Sequence, residues 1–286
     1  MGDYVRRFLL KNGDVRGELV GLHESYQIIM RQHNYPEHVQ LILGEVLVVA
    51  VLLTNTLKFE GELTIQLQSE GVVKLLVAKC THQMEIRGVA QWDRKASVAE
   101  FTRAFGQGQL VITIQPKNKT QYYQSVVPLQ RQSVAKAIEH YFLQSEQLST
   151  RIWLAVDDQQ ATGMLLQLLP GVESEPRQEF WDQIVSLTEQ VTPQQLLHEE
   201  NLPLLTQLFG NEEISVFDPL SVEFFCPCTV ERMQRAIITL GEEDANTLLM
   251  TAKAIEVTCE FCNRQYAFDQ VDVAQIFANK KDRPLH

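Results

Sequence analysis

The chain has 286 residues, 45% of them hydrophobic and 21% charged, with a formal net charge of −11; this excludes global disorder and collagen-like repeats and argues against nucleic acid, whose phosphates call for a basic face. Five cysteines are too few for a disulfide-built scaffold. The start, Met1-Gly2-Asp3-Tyr4-Val5-Arg6-Arg7, lacks the apolar run and small-residue cleavage site of a signal peptide.

In chain order, residues 8–10 and 15–20 flank Lys11-Asn12-Gly13-Asp14 and predict a hairpin about an Asn-Gly turn. Residues 36–53 predict a helix. Its apolar stretch, residues 39–53, carries Gln40, Gly44 and Glu45 and falls short of the ~20 apolar residues of a membrane span. A buried helix starting after Pro36 is expected, and with it a cytoplasmic protein with no membrane partner. Residues 63–68 alternate strictly, so one face is buried and one is wet. Further strands are expected at 72–80, 84–91, 110–114, 122–129, 151–156 and 164–169. Residues 133–145 place Val134, Ala137, Ile138, Tyr141 and Phe142 at helical spacing. The fold class is α+β: a mostly antiparallel sheet with packed helices over residues 1–172.

The character changes after Leu169-Pro170-Gly171. Residues 173–225 hold eleven acidic side chains against the single Arg177, and so carry about ten of the eleven net negative charges. Helical patterning persists, with Phe180, Ile184, Leu187 and Val191 forming one stripe. Thr192-Pro193-Gln194-Gln195 reads as a capped helix start, and Pro203 is expected to break the helix that follows. Short helices crowded with like charges are marginal alone. Residues 173–225 are therefore expected to form a metastable helical linker that depends on docking its apolar stripe.

Four cysteines lie in the last quarter: Cys226-Pro227-Cys228 and, thirty residues later, Cys259-Glu260-Phe261-Cys262. Two close pairs brought together offer four thiolates, the ligand set of a closed tetrahedral zinc site, so residues 226–286 are expected to form a small zinc-binding module. Cys80 ends an apolar strand and is expected in the core. The histidines, His198 and His286 among them, show no HExxH-type spacing, and no catalytic residue is assigned.

With these residues in view, the chain resembles the bacterial family of redox-regulated 33-kilodalton heat-shock holdases. The likeness rests on the two cysteine pairs, on Phe217-Asp218-Pro219 and Tyr266-Ala267-Phe268 flanking them, and on Leu57-Lys58-Phe59-Glu60-Gly61-Glu62-Leu63. It also includes residues 141–148 and 163–167. The sequence departs from the family pattern at Ser125, at Ser149 and at Pro227, which fixes φ between the first two cysteines. The resemblance implies a non-enzymatic chaperone whose reduced form holds one Zn2+ per chain on Cys226, Cys228, Cys259 and Cys262 and is inactive. It implies that oxidation forms disulfides Cys226–Cys228 and Cys259–Cys262, releases the metal and unfolds the linker. The oxidised homodimer then holds unfolding client proteins without ATP.

Magnitudes agree with such a switch. A structural zinc contributes roughly 10–16 kcal/mol of apparent folding free energy in small peptides, while disulfides closing such short loops return roughly 1.5–2 kcal/mol each. Two other readings compete. One is a thiol–disulfide oxidoreductase using Cys259 and Cys262, which would want a cysteine at a helix start. The other is a zinc-ribbon adaptor for a protein partner.

Overall fold

The computed structural model describes residues 2–10, 15–97, 99, 108–117, 121–129, 133–172, 174–210 and 212–281. The Asn12-Gly13 turn, Glu173 and His286 lie outside them. The chain divides into two compact units, Met1–Phe225 and Cys226–His286.

In the first unit the strands are β1 (Tyr4–Leu10), β2 (Val15–Leu22), β3 (Gly61–Ser69), β4 (Val73–Thr81), β5 (Glu85–Trp92), β6 (Gly108–Pro116), β7 (Tyr123–Pro128), β8 (Thr150–Val156) and β9 (Ala161–Leu168). Three short strands follow, β10 (Ile214–Val216), β11 (Leu220–Ser221) and β12 (Glu223–Phe224). They form two sheets rather than one. The first runs β10-β1-β2-β9-β8 with β11 also on β1, and the second runs β12-β5-β4-β3-β6-β7. Among the described residues every pairing in these sheets is antiparallel except β12 on β5.

Helix α2 (Glu37–Thr56) lies against strands of both sheets. It is apolar on nearly every side, and a helix of that kind is stable only when enclosed. Its core includes Leu43, Leu47, Val51, Leu63, Ile65, Leu76 and Leu165. Gly44 permits the close approach: a Cβ there would stand 2.6 Å from Val156 Cγ1 and 3.0 Å from the Tyr26 ring. The helix is long and apolar enough to cross a membrane by composition, but 78% of its most apolar window is buried inside the protein.

Helix α1 (Glu24–Gln32) is not among the elements expected from the sequence, although Tyr26, Ile29 and Met30 recur at helical spacing on its buried face. Its first N–H groups are satisfied from a distance: His23, Glu24 and Ser25 donate to the Asp3 carboxylate at 2.6, 2.9 and 2.6 Å. A cap supplied some twenty residues upstream leaves no local signature. Helix α3 (Val134–Tyr141) starts at Ser133, whose hydroxyl accepts from Lys136 N, and ends in a π turn at Phe142–Glu146.

The acidic stretch folds into α4 (Glu175–Thr188), α5 (Pro193–His198) and α6 (Asn201–Phe209). These cover the face of the first sheet that α2 does not. Trp181, Ile184, Val185, Leu196, Leu204, Leu205 and Phe209 join a second core with Phe8, Leu10, Leu19, Met164 and Leu166. β9 is accordingly buried at all eight positions, whereas β3 alternates because only one of its faces is covered. The buried stripe of α4 is turned from the expected one: Trp181 and Val185 are inside, while Phe180 and Leu187 sit at its rim. Thr192 and Gln195 form a reciprocal capping box. The break expected at Pro203 falls instead at Glu199–Glu200, both extended. Pro203 lies in the first turn of α6, where its missing N–H has no intrahelical partner to lose.

The second unit comprises α7 (Val230–Leu240), α8 (Glu242–Thr251), the hairpin β13 (Ile255–Thr258) and β14 (Gln265–Phe268), and α9 (Gln270–Lys281). Its buried hydrophobic cluster consists of Ile237, Ala245, Ile255, Phe268, Val273, Ile276 and Phe277. So small a core is a weak source of independent stability.

Candidate metal centre

Cys226 and Cys228 lie in a segment without regular structure that runs into α7, where Thr229 caps the helix by accepting from Arg232 N. Cys259 and Cys262 lie in the turn between β13 and β14. That turn is closed by Asn263 N donating to Cys259 O at 2.8 Å and Cys259 N donating to Arg264 O at 2.9 Å. Asn263 takes the left-handed conformation, φ 55°, a geometry asparagine tolerates. The two pairs meet face to face. Cys226 Sγ is 3.6 Å from Cys259 Sγ, and Cys228 Sγ is 3.3 Å from Cys262 Sγ.

All four Sγ atoms lie within 4.8 Å of one another. A tetrahedron with metal–sulfur bonds of about 2.3 Å has edges of about 3.8 Å, so the spacing fits a four-thiolate ion site. Cys228 and Cys259 are buried and the other two half-buried, and all four are free thiols. Among the described residues this is the one group of three or more His, Cys, Asp or Glu side chains placed to share an ion. His198 lies elsewhere, its Nε2 3.8 Å from Asp157 Oδ2.

Without a cation the cluster accommodates negative charge unevenly. Burial, and then the neighbouring thiols, raise Cys226 above the ordinary thiol range, and burial raises Cys262. For Cys228 burial works in the same direction, but hydrogen bonds from Tyr266 and the neighbouring thiols outweigh it and bring it down to about 7. Four sulfurs this close favour a single thiolate until a cation compensates the rest. Cys80 is a different case: burial in the α2 core pushes its thiol up to about 12, as expected of a packing residue.

Each of the four cysteines singled out by spacing thus belongs to one cluster. Tyr266 was legible only as part of a flanking motif. Its hydroxyl stands 3.1 Å from Cys228 O and 3.3 Å from Cys228 Sγ, and only the fold discloses that contact. The Cys259–Cys262 pair does not open a helix, which removes the feature that the oxidoreductase reading needs.

The family model described as Hsp33 protein matches residues 3–269. The 33 kDa chaperonin of Nitrosococcus oceani is 40% identical over 283 residues, covering 99% of this chain and 97% of its own. That of Shewanella sediminis is 43% identical over 278 residues, covering 97% and 96%. The crystal structure of the 33 kDa chaperonin from Thermotoga maritima superposes with a TM-score of 0.85 at 21% identity, covering 99% of this chain and all of that one.

Proposed function

The chain belongs to the Hsp33 family, and from that premise we propose that it is a cytoplasmic, redox-regulated holdase that binds unfolding client proteins without ATP. In this reading residues 1–172 are the core domain, 173–225 a metastable linker and 226–286 the redox switch. Cys226, Cys228, Cys259 and Cys262 hold one Zn2+ in the reduced, inactive form. When bound there, the ion neutralises the thiolates and cross-links the segment before α7 to the β13–β14 turn.

Under oxidant the cysteines convert to Cys226–Cys228 and Cys259–Cys262 disulfides. In each conversion one sulfur attacks a peroxide oxygen, the O–O bond breaks and a sulfenic acid forms with loss of water. The second thiol then displaces a second water as the S–S bond closes. No free thiolate remains to hold a cation, and two short-loop disulfides replace only part of the lost folding free energy. The linker loosens with the module. Trp181, Ile184 and Leu205 then leave their seats, and the apolar face built on Phe8, Leu19 and Met164 becomes available to client chains, with the active form a homodimer. Exposed apolar surface of this kind binds other apolar surface, while the acidic charge of residues 173–225 keeps the opened state soluble.

The observation that carries this reading is the convergence of four thiols in a unit whose apolar core, among the described residues, is seven residues. A zinc and free-thiol titration before and after mild peroxide, alongside aggregation of a heat-denatured client, tests it. One zinc and four reactive thiols should disappear together as near-stoichiometric aggregation suppression appears. Equal suppression by the reduced, zinc-loaded protein would sink the switch.

A further inference from the structure

Tyr266 sits on β14, beyond the second cysteine pair in sequence, yet its hydroxyl reaches the first pair. It lies within hydrogen-bond range of both Cys228 O and Cys228 Sγ. Its side chain packs at the edge of the Ile255 and Phe268 core, which holds the hydroxyl in place. One hydroxyl carries one proton, so it serves one acceptor at a time. A negatively charged sulfur takes it in preference to the carbonyl, because charge-assisted hydrogen bonds are roughly twice as strong as neutral ones. Cys228 is also the buried member of its pair, so this contact falls on the less exposed of Cys226 and Cys228.

We propose that Tyr266 is a positioning residue for the thiol chemistry of this centre: its hydroxyl clamps Cys228 to β14 and occupies a lone pair of that sulfur, slowing its oxidation. The inference rests on the redox reading of the four cysteines and adds the residue that sets the threshold. The governed step is attack of Cys228 Sγ on hydrogen peroxide, which breaks the O–O bond and leaves a sulfenic acid and water. Cys226 Sγ then displaces the second water to form the disulfide, so two thiols are oxidised as one peroxide is reduced. Removing the hydroxyl frees the lone pair and loosens the clamp. Both effects lower the barrier to oxidation, and outer-shell partners of this kind typically contribute 10–100-fold in metal affinity.

The test is Tyr266→Phe in the full chain, loaded with zinc and compared with the parent protein. A competing chelator should extract zinc at about tenfold lower concentration. Site-resolved alkylation after peroxide should show Cys228 lost severalfold faster, with Cys80 unchanged as internal reference. Cobalt(II) substitution adds a readout that a purely structural role would not move: the thiolate-to-cobalt charge-transfer band should shift to longer wavelength in the variant. Parent-like zinc extraction, oxidation rate and cobalt spectrum in Tyr266→Phe would overturn the inference and leave the switch intact. Unfolding of the zinc-saturated variant would also overturn it, since the hydroxyl would then act through the fold. A parent protein that neither takes up zinc nor loses these thiols to peroxide would remove the switch itself, and the role of Tyr266 with it.

Discussion

Glu18 is the clearest case of a single side chain with a thermodynamic signature. It lies on β2 with its side chain fully buried, and Arg7 Nε is 3.6 Å away. Burial pushes its carboxyl up to about 7, only partly offset by Asn55, the Arg16 and Arg7 guanidiniums and Thr56. The folded protein therefore favours the protonated acid more than the unfolded chain does. That contribution is complete below the ordinary glutamate range, near 4.5, and is lost as pH rises through about 7. Urea unfolding of the parent protein and of Glu18→Gln at pH 5 and pH 8 should show the parent losing up to about 3 kcal/mol relative to the variant across that interval. Parallel pH profiles for the two proteins would refute the assignment. Asp3 serves the fold differently, its carboxylate accepting the three N–H groups that open α1.

At the scale of elements, the decisive question is how firmly α4, α5 and α6 are seated. Trp181 is the largest side chain these helices bury. Replacing such a residue by alanine costs roughly 3–5 kcal/mol. On the proposed reading that the segment opens without the rest, Trp181→Ala should therefore accelerate amide exchange in α4–α6 by about a hundredfold or more, with α2 unchanged. Exchange rising equally in α2 would show that the helices and the core unfold as one. Elements whose cause is local were legible in the sequence: the alternation of β3, the Thr192–Gln195 capping box, the largely apolar character of α2. Those whose cause is tertiary were not. Asp3 caps α1 from just before β1, some twenty residues upstream, and the face of α4 that is buried depends on where the first sheet lies. The break before α6 is set by two extended glutamates rather than by the proline that draws the eye. The four cysteines were legible because ligand spacing is a local pattern, whereas the Tyr266 hydroxyl meets Cys228 only because the fold brings β14 to the segment before α7.

For the whole molecule, the two compact units differ in how each is sustained. Met1–Phe225 has two apolar cores, one on either side of its first sheet, while Cys226–His286 has one small core beside four thiols. Stripping metal from the reduced protein with a chelator should melt α7, α8, α9 and the β13–β14 hairpin and leave the core around α2 protected. Amide exchange and circular dichroism measure this directly, and a second unit that stays protected after chelation would contradict it. The complete burial of β9 has a consequence of its own. Helix α2 braces the first sheet from behind, so under the proposed departure of α4–α6 a client chain would meet a floor whose backbone is already ordered. In that proposed state the newcomer would bear most of the entropy loss and the host very little, which would suit one rigid surface to guests of unrelated sequence.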